Sequence, residues 1–289
     1  MTGSLQRYFS LVKFSHTVFA LPFAMLGLTL GVVASGQPLT WSLFLKVLLC
    51  MVFTRNAAMA FNRYLDRRFD ALNPRTAVRE IPAGIISPTN ALIFTIVNAA
   101  LFVLTTWFIN KACFYLSFIA LLVVLFYSYT KRFTALCHLV LGLGLSLAPI
   151  GAYLAVTGRF ALLPVLFAIV VFTWVSGFDI IYALQDEAFD RSQKLHSIPV
   201  ALGASRALMV SNLLHVIAAG LVFYAGWVAG FNWLYWAGAV LFAALLLYQH
   251  LIISATDLRR VNAAFATTNG AASILFATFA ILSLTLSAL

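Results

Sequence analysis

Residues 162–181 read LLPVLFAIVVFTWVSGFDII, twenty consecutive residues with a single charge. A stretch of about 20 mainly apolar residues is long enough for an α-helix to cross the hydrocarbon core of a bilayer. Similar stretches recur along the 289-residue chain. The sequence therefore predicts an all-α integral membrane protein, a single domain over residues 1–289 with about nine transmembrane helices. We place these helices at residues 16–34, 41–59, 91–109, 112–130, 136–153, 162–181, 207–227, 233–253 and 268–289.

The composition indicates the same environment for the rest of the chain. Hydrophobic residues make up 63% of the sequence and charged residues 9%, and the mean hydropathy is +1.00. A soluble domain carries about 25% charged residues, so this chain has too few to cover a surface in contact with water. Most of its surface is expected to face lipid, which excludes a soluble enzyme or binding protein.

The formal net charge of +10 reflects an uneven distribution of basic residues. If the N-terminus is cytoplasmic, most Lys and Arg residues lie in the predicted inner segments, and the predicted outer loops carry only Lys111 and Arg159. An excess of Lys and Arg in cytoplasmic loops sets the orientation of membrane proteins. We therefore predict a protein of the bacterial inner membrane with a cytoplasmic N-terminus, and we expect no nucleic-acid partner.

The acidic residues are few and clustered. The chain has eight of them, and seven fall in two segments, each at the predicted inner end of an apolar helix. Carboxylates near lipid cost free energy, and by default they indicate a functional site. The first cluster holds Asp66, Asp70 and Glu80, the second holds Asp179, Asp186, Glu187 and Asp190, and Asp257 stands alone.

The first cluster lies in residues 62–70, NRYLDRRFD. Asn62, Asp66 and Asp70 recur every four residues, which places all three on one face of a helix. Asn73-Pro74 follows, and this pair is expected to end the helix, because proline disfavours a helical conformation in the residue before it.

The second cluster lies in residues 179–190, DIIYALQDEAFD. Asp179, Tyr182, Asp186 and Asp190 are separated by three, four and four residues, which again predicts one face of one helix. His138, on another predicted helix, is expected to be a helix-packing or interfacial residue.

The two clusters are related by a constant offset. Asp66 and Asp70 recur 120 residues later as Asp186 and Asp190, and an Ile-Pro pair follows each cluster. Membrane proteins with duplicated halves commonly build a site between the halves. We therefore predict that the two motifs face one shared site.

Carboxylates at positions i and i+4 on two facing helices suit hard cations. Mg²⁺ takes oxygen ligands and is usually held by a few carboxylates together with substrate phosphates. The simpler alternative is that the acids only pair with neighbouring arginines at helix ends.

At these residues the sequence resembles the UbiA superfamily of membrane prenyltransferases. Asn62, Asp66 and Asp70 match the first motif of that family, and Asp186 and Asp190 match its second motif. Residues 73–76, NPRT, and 127–132, YSYTKR, are similar to further signatures of the family. The resemblance implies a bundle of nine helices around a central cavity that is open to the cytoplasm and to lipid.

One residue departs from the pattern, since Arg63 stands where many members have aspartate. With this arginine the sequence resembles the quinone-pathway branch, which is 4-hydroxybenzoate polyprenyltransferase-like. Some relatives in that branch are thought to prenylate 1,4-dihydroxy-6-naphthoate in menaquinone synthesis. The resemblance therefore leaves two aromatic acceptors open.

The resemblance also implies ligands and roles. The substrates would be a polyprenyl diphosphate and an aromatic acid, and the cofactor would be Mg²⁺, held by Asp66, Asp70, Asp186 and Asp190 with help from Asn62. Asp179 would orient the acceptor or take its proton, and Tyr182 would assist it or only pack. Candidate diphosphate ligands are Lys13, Arg75, Arg79 and Lys131, with Arg67 and Arg132 less favoured; Arg55 would bind a substrate anion or pair with an aspartate, and His16 could face the site.

Three other classes compete with this interpretation. A secondary transporter would also have many spans and a repeat, but it would place polar groups near the bilayer midplane. A CDP-alcohol phosphotransferase would need a D-G-x-x-A-R core, which the sequence lacks. A scaffold without activity would have no need for acids on two helix faces.

Small residues predict where helices approach closely. Gly27 and Gly31 lie four residues apart in the first predicted helix, and Gly142 and Gly144 lie in the fifth. Glycines at such spacing let the backbones of membrane helices come into contact.

Overall fold

The computed structural model describes residues 4–12 and 19–287. In these ranges the chain forms helices, joined by loops that contain one isolated β-bridge between Ser254 and Asp257. In chain order the helices are α1 (Ser4–Leu11), α2 (Leu21–Ser35), α3 (Trp41–Leu72), α4 (Pro88–Trp107), α5 (Lys111–Thr130), α6 (Cys137–Thr157), α7 (Leu162–Ala183), α8 (Glu187–Ser192), α9 (Ile198–Leu202), α10 (Ala204–Ala229), α11 (Trp233–Ile252) and α12 (Asn269–Ser287).

Eight helical segments of the described chain are long and apolar enough to cross a membrane. They are α3, α4, α5, α6, α7 extended to Ser192, α10, α11, and α12 with the π-helical turn before it. The apolar helix α2 has only 15 residues, and the first predicted span, 16–34, begins outside the described residues. The all-α membrane fold is confirmed, with eight full-length spans and the short α2 in place of the first predicted one.

The aromatic residues fit this membrane arrangement. Trp41, Trp107, Trp227 and Trp233 are 61–80% exposed, and each lies close to a helix end. By the alternating direction of the helices, these ends lie on the side of the membrane opposite to the end of α3 that carries the first aspartate motif. Tryptophan is enriched where a membrane protein meets the headgroup region, so the four side chains mark one edge of the apolar belt.

Helix α3 carries the first motif beyond the apolar belt. It has 32 residues, and at 1.5 Å per residue it is about 48 Å long, compared with about 30 Å for the hydrocarbon core. It ends at Leu72, and Asn73 is its extended C-terminal cap. The helix end predicted from Asn73-Pro74 is confirmed. Asp66 and Asp70 therefore lie on the last two turns, past the length that lipid requires.

Helix α7 is the most buried of the eight spans. Trp174, at its middle, is fully buried and packs against Phe23 of α2 and Phe242 of α11, at 5.4 and 5.8 Å between ring centroids. This central position fixes the end of α7 that carries the second motif.

The second motif does not lie on one continuous helix. Helix α7 ends at Ala183, a 3₁₀ turn covers Leu184–Asp186, and α8 continues from Glu187. The prediction of one continuous helix across residues 179–190 is therefore wrong at this turn, because the i, i+4 rule assumes regular α-helix and a 3₁₀ turn winds more tightly. The four side chains of the motif nevertheless line one common cavity, as the prediction of a shared face requires.

Three of the four singled-out glycines lie at close helix contacts. A Cβ atom on Gly27 would lie 2.1 Å from the carbonyl oxygen of Pro149, and one on Gly31 would lie 2.8 Å from Val156. A Cβ atom on Gly142 would lie 2.2 Å from the hydroxyl of Ser176. Helix α6 therefore contacts both α2 and α7 through glycine. Gly144 is different, because a Cβ atom there would make only an ordinary contact at 3.5 Å.

Candidate functional site

A cavity of about 210 Å³ lies between the ends of α3, α5, α6, α7 and α8. We call it the polar cavity. One wall is residues 62–79, the α3 arm, and another is residues 179–190, the α7–α8 arm. All four motif aspartates line it, together with most of the other predicted site residues, namely Asn62, Arg75, Arg79, Lys131, Asp179 and Tyr182.

Asp66 is the most heavily bonded carboxylate of the α3 arm. Its side chain is almost completely buried and accepts hydrogen bonds from Lys131 and Arg132, each at 3.0 Å. Asn62, one helical turn earlier, donates to it at 3.2 Å. The basic pair comes from the end of α5, so Asp66 joins α5 to the α3 arm.

Asp70 is held by its own arm. Arg79, in the loop after α3, donates to its Oδ1 atom at 2.7 Å. The hydroxyl of Thr76 donates to the Asp70 backbone carbonyl at 3.0 Å. The Oδ2 atom of Asp70 is buried and has no hydrogen-bond partner among the described residues. A buried carboxylate oxygen without a donor suits a cation ligand, because desolvating it uncompensated costs free energy.

Asp186 on the α7–α8 arm is bound across the cavity by the loop that follows α3. Arg75 binds both carboxylate oxygens, with 3.0 Å between Nε and Oδ1, and Asn73 donates to Oδ1 at 3.1 Å. Arg75 also donates to the hydroxyl of Tyr182 at 2.9 Å. Burial alone would lower the pKa of Arg75, but the hydrogen bonds and charge of Asp186 more than offset this and raise it. The guanidinium thus stays charged and ties the two arms together.

The remaining two aspartates lack a Lys or Arg partner within the described chain. Asp190 forms no ion pair there, although it lines the polar cavity. Asp179 binds an imidazole instead, since its Oδ2 atom lies 2.7 Å from Nδ1 of His138. Among the five cavity aspartates, these two are therefore the ones that no described Lys or Arg side chain neutralises.

The charges that line the polar cavity do not balance. Five carboxylates face three cationic side chains of the lining and Arg132, which binds Asp66 from outside it, so the formal charge is −1 with the histidines neutral. In the described residues no three His, Cys, Asp or Glu side chains are spaced to hold a metal ion by themselves. The donor set is nevertheless rich in carboxylate and amide oxygens, which are the ligands of Mg²⁺, and Mg²⁺ commonly completes its shell with water and phosphate oxygens. The residues present fit that ion.

A second, apolar cavity of about 330 Å³ lies deeper, between α3, α4, α5 and α6. Its lining includes Val47, Phe102 and Leu145. Tyr127 and Leu141 line both cavities, so the two spaces meet at these side chains. An anionic head in the polar cavity could therefore continue into an apolar tail.

Comparison with known proteins agrees with this arrangement. The sequence profile of the UbiA prenyltransferase family matches residues 20–286. The chain belongs to the UbiA prenyltransferase family. Among curated UbiA-family relatives, the 4-hydroxybenzoate octaprenyltransferase of Tolumonas auensis is 29% identical over 266 residues, which cover 88% of this chain and 93% of the relative. The 4-hydroxybenzoate octaprenyltransferase of Aeromonas salmonicida is 30% identical over 252 residues, covering 86% and 85%.

Solved structures of the UbiA family show the same fold. A UbiA homologue from Aeropyrum pernix, in its apo form, matches with a TM-score of 0.82 and 31% identity, over 92% of this chain and 97% of that one. A UbiA homologue from Archaeoglobus fulgidus, solved with GPP and Mg²⁺, matches with a TM-score of 0.75 and 22% identity, over 96% and 99%. The second comparison concerns the fold alone.

Arg55 and the less favoured candidates Arg67 and Arg132 do not line the polar cavity of this UbiA-family protein. Arg55 lines the apolar cavity instead, where its Nη2 atom donates to the carbonyl of Val12 at 3.4 Å. Lys13 and His16 lie outside the described residues. Arg63, the departure from the common motif, is 5% exposed and lines neither cavity.

The structure also brings in residues that sequence reasoning missed or ranked low. The sequence predicts only a helix end at Asn73, a less favoured diphosphate ligand in Arg132 and a packing or interfacial role for His138, yet each binds a cavity aspartate. A polar residue in the first turn of an apolar helix, as His138 is, was the available signal. The spacing of residues along the chain does not show that α6 packs against α7, so the sequence could not reveal that His138 meets Asp179.

Proposed function

We propose that this UbiA-family protein is a Mg²⁺-dependent aromatic prenyltransferase of quinone biosynthesis. It would transfer a polyprenyl group from polyprenyl diphosphate to an aromatic acid, with 4-hydroxybenzoate as the expected acceptor. The observation that carries the proposal is the meeting of two aspartate pairs and three cationic side chains in one cavity beside an apolar one.

The charge of the polar cavity supports the need for a divalent ion. A cavity with a net negative formal charge repels a diphosphate, so we infer that the donor binds there together with cations. Asp66, Asp70, Asp186 and Asp190 would hold Mg²⁺, with Asn62 assisting. When bound, Mg²⁺ neutralises the negative charge that develops on a leaving diphosphate.

The basic side chains supply the other half of the diphosphate site. Arg75, Arg79 and Lys131 are each bound to an aspartate, and all three line the polar cavity. We infer that they donate to phosphate oxygens once cations occupy the carboxylates. Arginine presents several N–H groups in a planar fork that matches phosphate oxygens.

The position of the two cavities supports the following course for the transfer. The bond between prenyl C1 and the diphosphate oxygen breaks, and its electron pair leaves with the diphosphate. Prenyl C1 then bonds to the ring carbon beside the acceptor hydroxyl, and that carbon loses its proton to a carboxylate, for which we propose Asp179, or to water. The apolar cavity would hold the prenyl chain and exclude water that would otherwise capture the electron-poor carbon.

The acceptor and the orientation are parts of the same proposal. The names of the two curated relatives favour 4-hydroxybenzoate, and Arg63 is the reason to retain 1,4-dihydroxy-6-naphthoate as the alternative. We propose that the polar cavity lies on the cytoplasmic side of the bacterial inner membrane, which the excess of Lys and Arg in the predicted inner loops supports by the positive-inside rule.

The decisive experiment is a product assay with the purified protein in lipid nanodiscs. One polyprenyl diphosphate is offered with Mg²⁺ and with 4-hydroxybenzoate or 1,4-dihydroxy-6-naphthoate, and products are identified by mass spectrometry. We expect a prenylated ring from one of the two acids. The proposal fails if neither acid is prenylated by a protein that is monodisperse and folded.

The transporter alternative is tested with the same preparation. The aspartates lie at helix ends rather than midway along the spans, which favours an enzyme at the interface. Uptake of an aromatic acid into proteoliposomes without any prenylated product would favour the transporter instead.

A further inference from the structure

We propose that His138 is a positioning residue that aims the Asp179 carboxylate at the aromatic acceptor. The inference deepens the proposed function and rests on it. Both ring nitrogens of His138 are engaged by the protein, one by Asp179 and one by the start of α9. The imidazole therefore connects α6, α7 and α9 at the edge of the polar cavity.

The two hydrogen-bonding contacts of the ring fit one neutral tautomer of the imidazole. The backbone N–H of Ile198 lies 3.3 Å from Nε2, a contact that fits the tautomer in which Nε2 accepts. In that tautomer the ring proton lies on Nδ1 and is donated to Oδ2 of Asp179 at 2.7 Å. A neutral imidazole has one donor and one acceptor nitrogen, and here both are used within the protein.

The pair forms because α6 and α7 touch one turn away. Gly142 lies four residues after His138, and Ser176 lies three residues before Asp179. A Cβ atom on Gly142 would lie 2.2 Å from the Ser176 hydroxyl and 2.6 Å from the carbonyl oxygen of Phe172. Only glycine permits this approach, which brings the imidazole within hydrogen-bond reach of the carboxylate.

Asp179 differs from the carboxylates that face the metal positions. Asp66, Asp70 and Asp186 bind cationic side chains, whereas Asp179 binds the imidazole. Its side chain is 22% exposed toward the polar cavity, and its Oδ1 atom has no hydrogen-bond partner in the described part of the chain. One oxygen is thus fixed and the other is available to a substrate hydroxyl.

The depth of the pair matches the place where the acceptor must lie. Asp179 precedes Asp186 by the last turn of α7 and the 3₁₀ turn, roughly 12 Å along the axis. Leu141, one turn after His138, lines both cavities. The pair therefore adjoins the junction where a prenyl chain leaves the polar cavity, and a ring held there would face prenyl C1.

The test compares His138→Gln with His138→Leu. A glutamine amide can donate to Asp179 and accept from Ile198, whereas leucine fills a similar space and can do neither. We expect His138→Leu to lower kcat/KM for the acceptor by about 10- to 100-fold, with KM for the donor changed by less than about twofold. We expect His138→Gln to recover most of the loss.

A double-mutant cycle with Asp179 tests whether His138 acts through that residue. In an Asp179→Ala background, His138→Leu should cause little further loss, because a positioning residue has no effect once its target is gone. Full additivity would overturn the inference. His250→Gln is the matched control, since His250 bonds His215 at 2.9 Å and lines neither cavity.

The outcomes are distinguishable. Absence of product from the wild-type protein overturns the proposed function and this inference with it. An active wild type with an equally active His138→Leu variant overturns only the inference. If the Gln and Leu variants are equally inactive, and thermal unfolding shows that both are folded, the positioning role is overturned. The imidazole of His138 would then itself transfer a proton in the reaction. If His138→Leu does not fold, His138→Asn replaces it, because the shorter amide cannot reach both partners.

Discussion

The two arms of the polar cavity carry the same pair of aspartates but hold them differently. On the α3 arm, Asp66 and Asp70 are 3% and 5% exposed and lie on one unbroken helix. On the α7–α8 arm, Asp186 and Asp190 are separated by the junction of a 3₁₀ turn and a short helix, and Asp190 forms no ion pair with a described residue. A repeat in sequence has thus produced one preformed wall and one wall with fewer constraints.

This difference suggests a division of labour between the arms. Burial and several charge-assisted hydrogen bonds fix the carboxylates of the α3 arm before any ligand arrives. The α7–α8 arm is connected to the α3 arm mainly through Arg75, whose side chain is 33% exposed. We expect the α7–α8 arm to adjust to the ligand and the α3 arm to stay in place.

The comparison of the two arms as halves of one metal site fails altogether if prenyl transfer proceeds without a metal ion. We expect EDTA to abolish prenyl transfer and added Mg²⁺ to restore it, because a cavity with excess negative charge does not bind a diphosphate alone. The measurement is product formation before and after dialysis against EDTA, with circular dichroism as the control for folding. Undiminished activity after metal removal would contradict the electrostatic reason for two aspartate pairs.

Removing one carboxylate from either arm should cause the next largest effect. We expect Asp66→Ala and Asp186→Ala to lower kcat by roughly 10²- to 10³-fold or more, with insertion and expression close to normal. Asp257→Ala is the matched control, since Asp257 pairs with the exposed Arg259 and does not line the cavity. Normal turnover in either cavity variant would remove the metal site from the mechanism.

The thermal stability of Asp66→Ala and Asp186→Ala compares the rigidity of the two arms. Asp66→Ala leaves Lys131 and Arg132 partly buried beside each other without their carboxylate, so its thermal midpoint should fall more than that of Asp186→Ala. Removing one partner of a buried ion pair costs more than removing an exposed one. Equal midpoints would show that the arms do not differ in rigidity.

The glycine contact under the α7–α8 arm can be broken separately. We expect Gly142→Ala to destabilise the fold by about 1–3 kcal/mol, because the added methyl group has no room between α6 and α7. Gly220→Ala is the control, as no atom lies within 4 Å of a Cβ atom there, and it should be neutral or slightly stabilising. Similar thermal midpoints for the two variants would argue against the close helix contact.

The smallest effect is expected at the link between the arms. Arg75→Lys keeps the charge but loses the two-pronged contact with Asp186, so we expect a loss in kcat/KM of about 10-fold. Arg191→Lys, at a side chain that is 59% exposed and bound to Glu187, should change kcat/KM by less than about twofold. Equal effects of the two substitutions would show that Arg75 does not join the arms.

Much of the fold and part of the site follow from short-range patterns. The apolar stretches predicted the membrane helices, and Asn73-Pro74 predicted the end of α3 correctly. The four-residue spacing placed Asp66 and Asp70 on one face, and both line the cavity. The regular helix predicted for residues 179–190 was wrong, because the periodicity of polar residues does not reveal a local 3₁₀ turn.

The sequence by itself determined that this chain is a helical membrane protein with two aspartate motifs, since hydrophobic length and helical spacing act over neighbouring residues. Only the tertiary structure decided which partner each carboxylate has. Arg75 and Asp186 are 111 residues apart, and His138 and Asp179 are 41 apart. Such pairs form where packed helices bring distant residues together, and no local pattern encodes that contact.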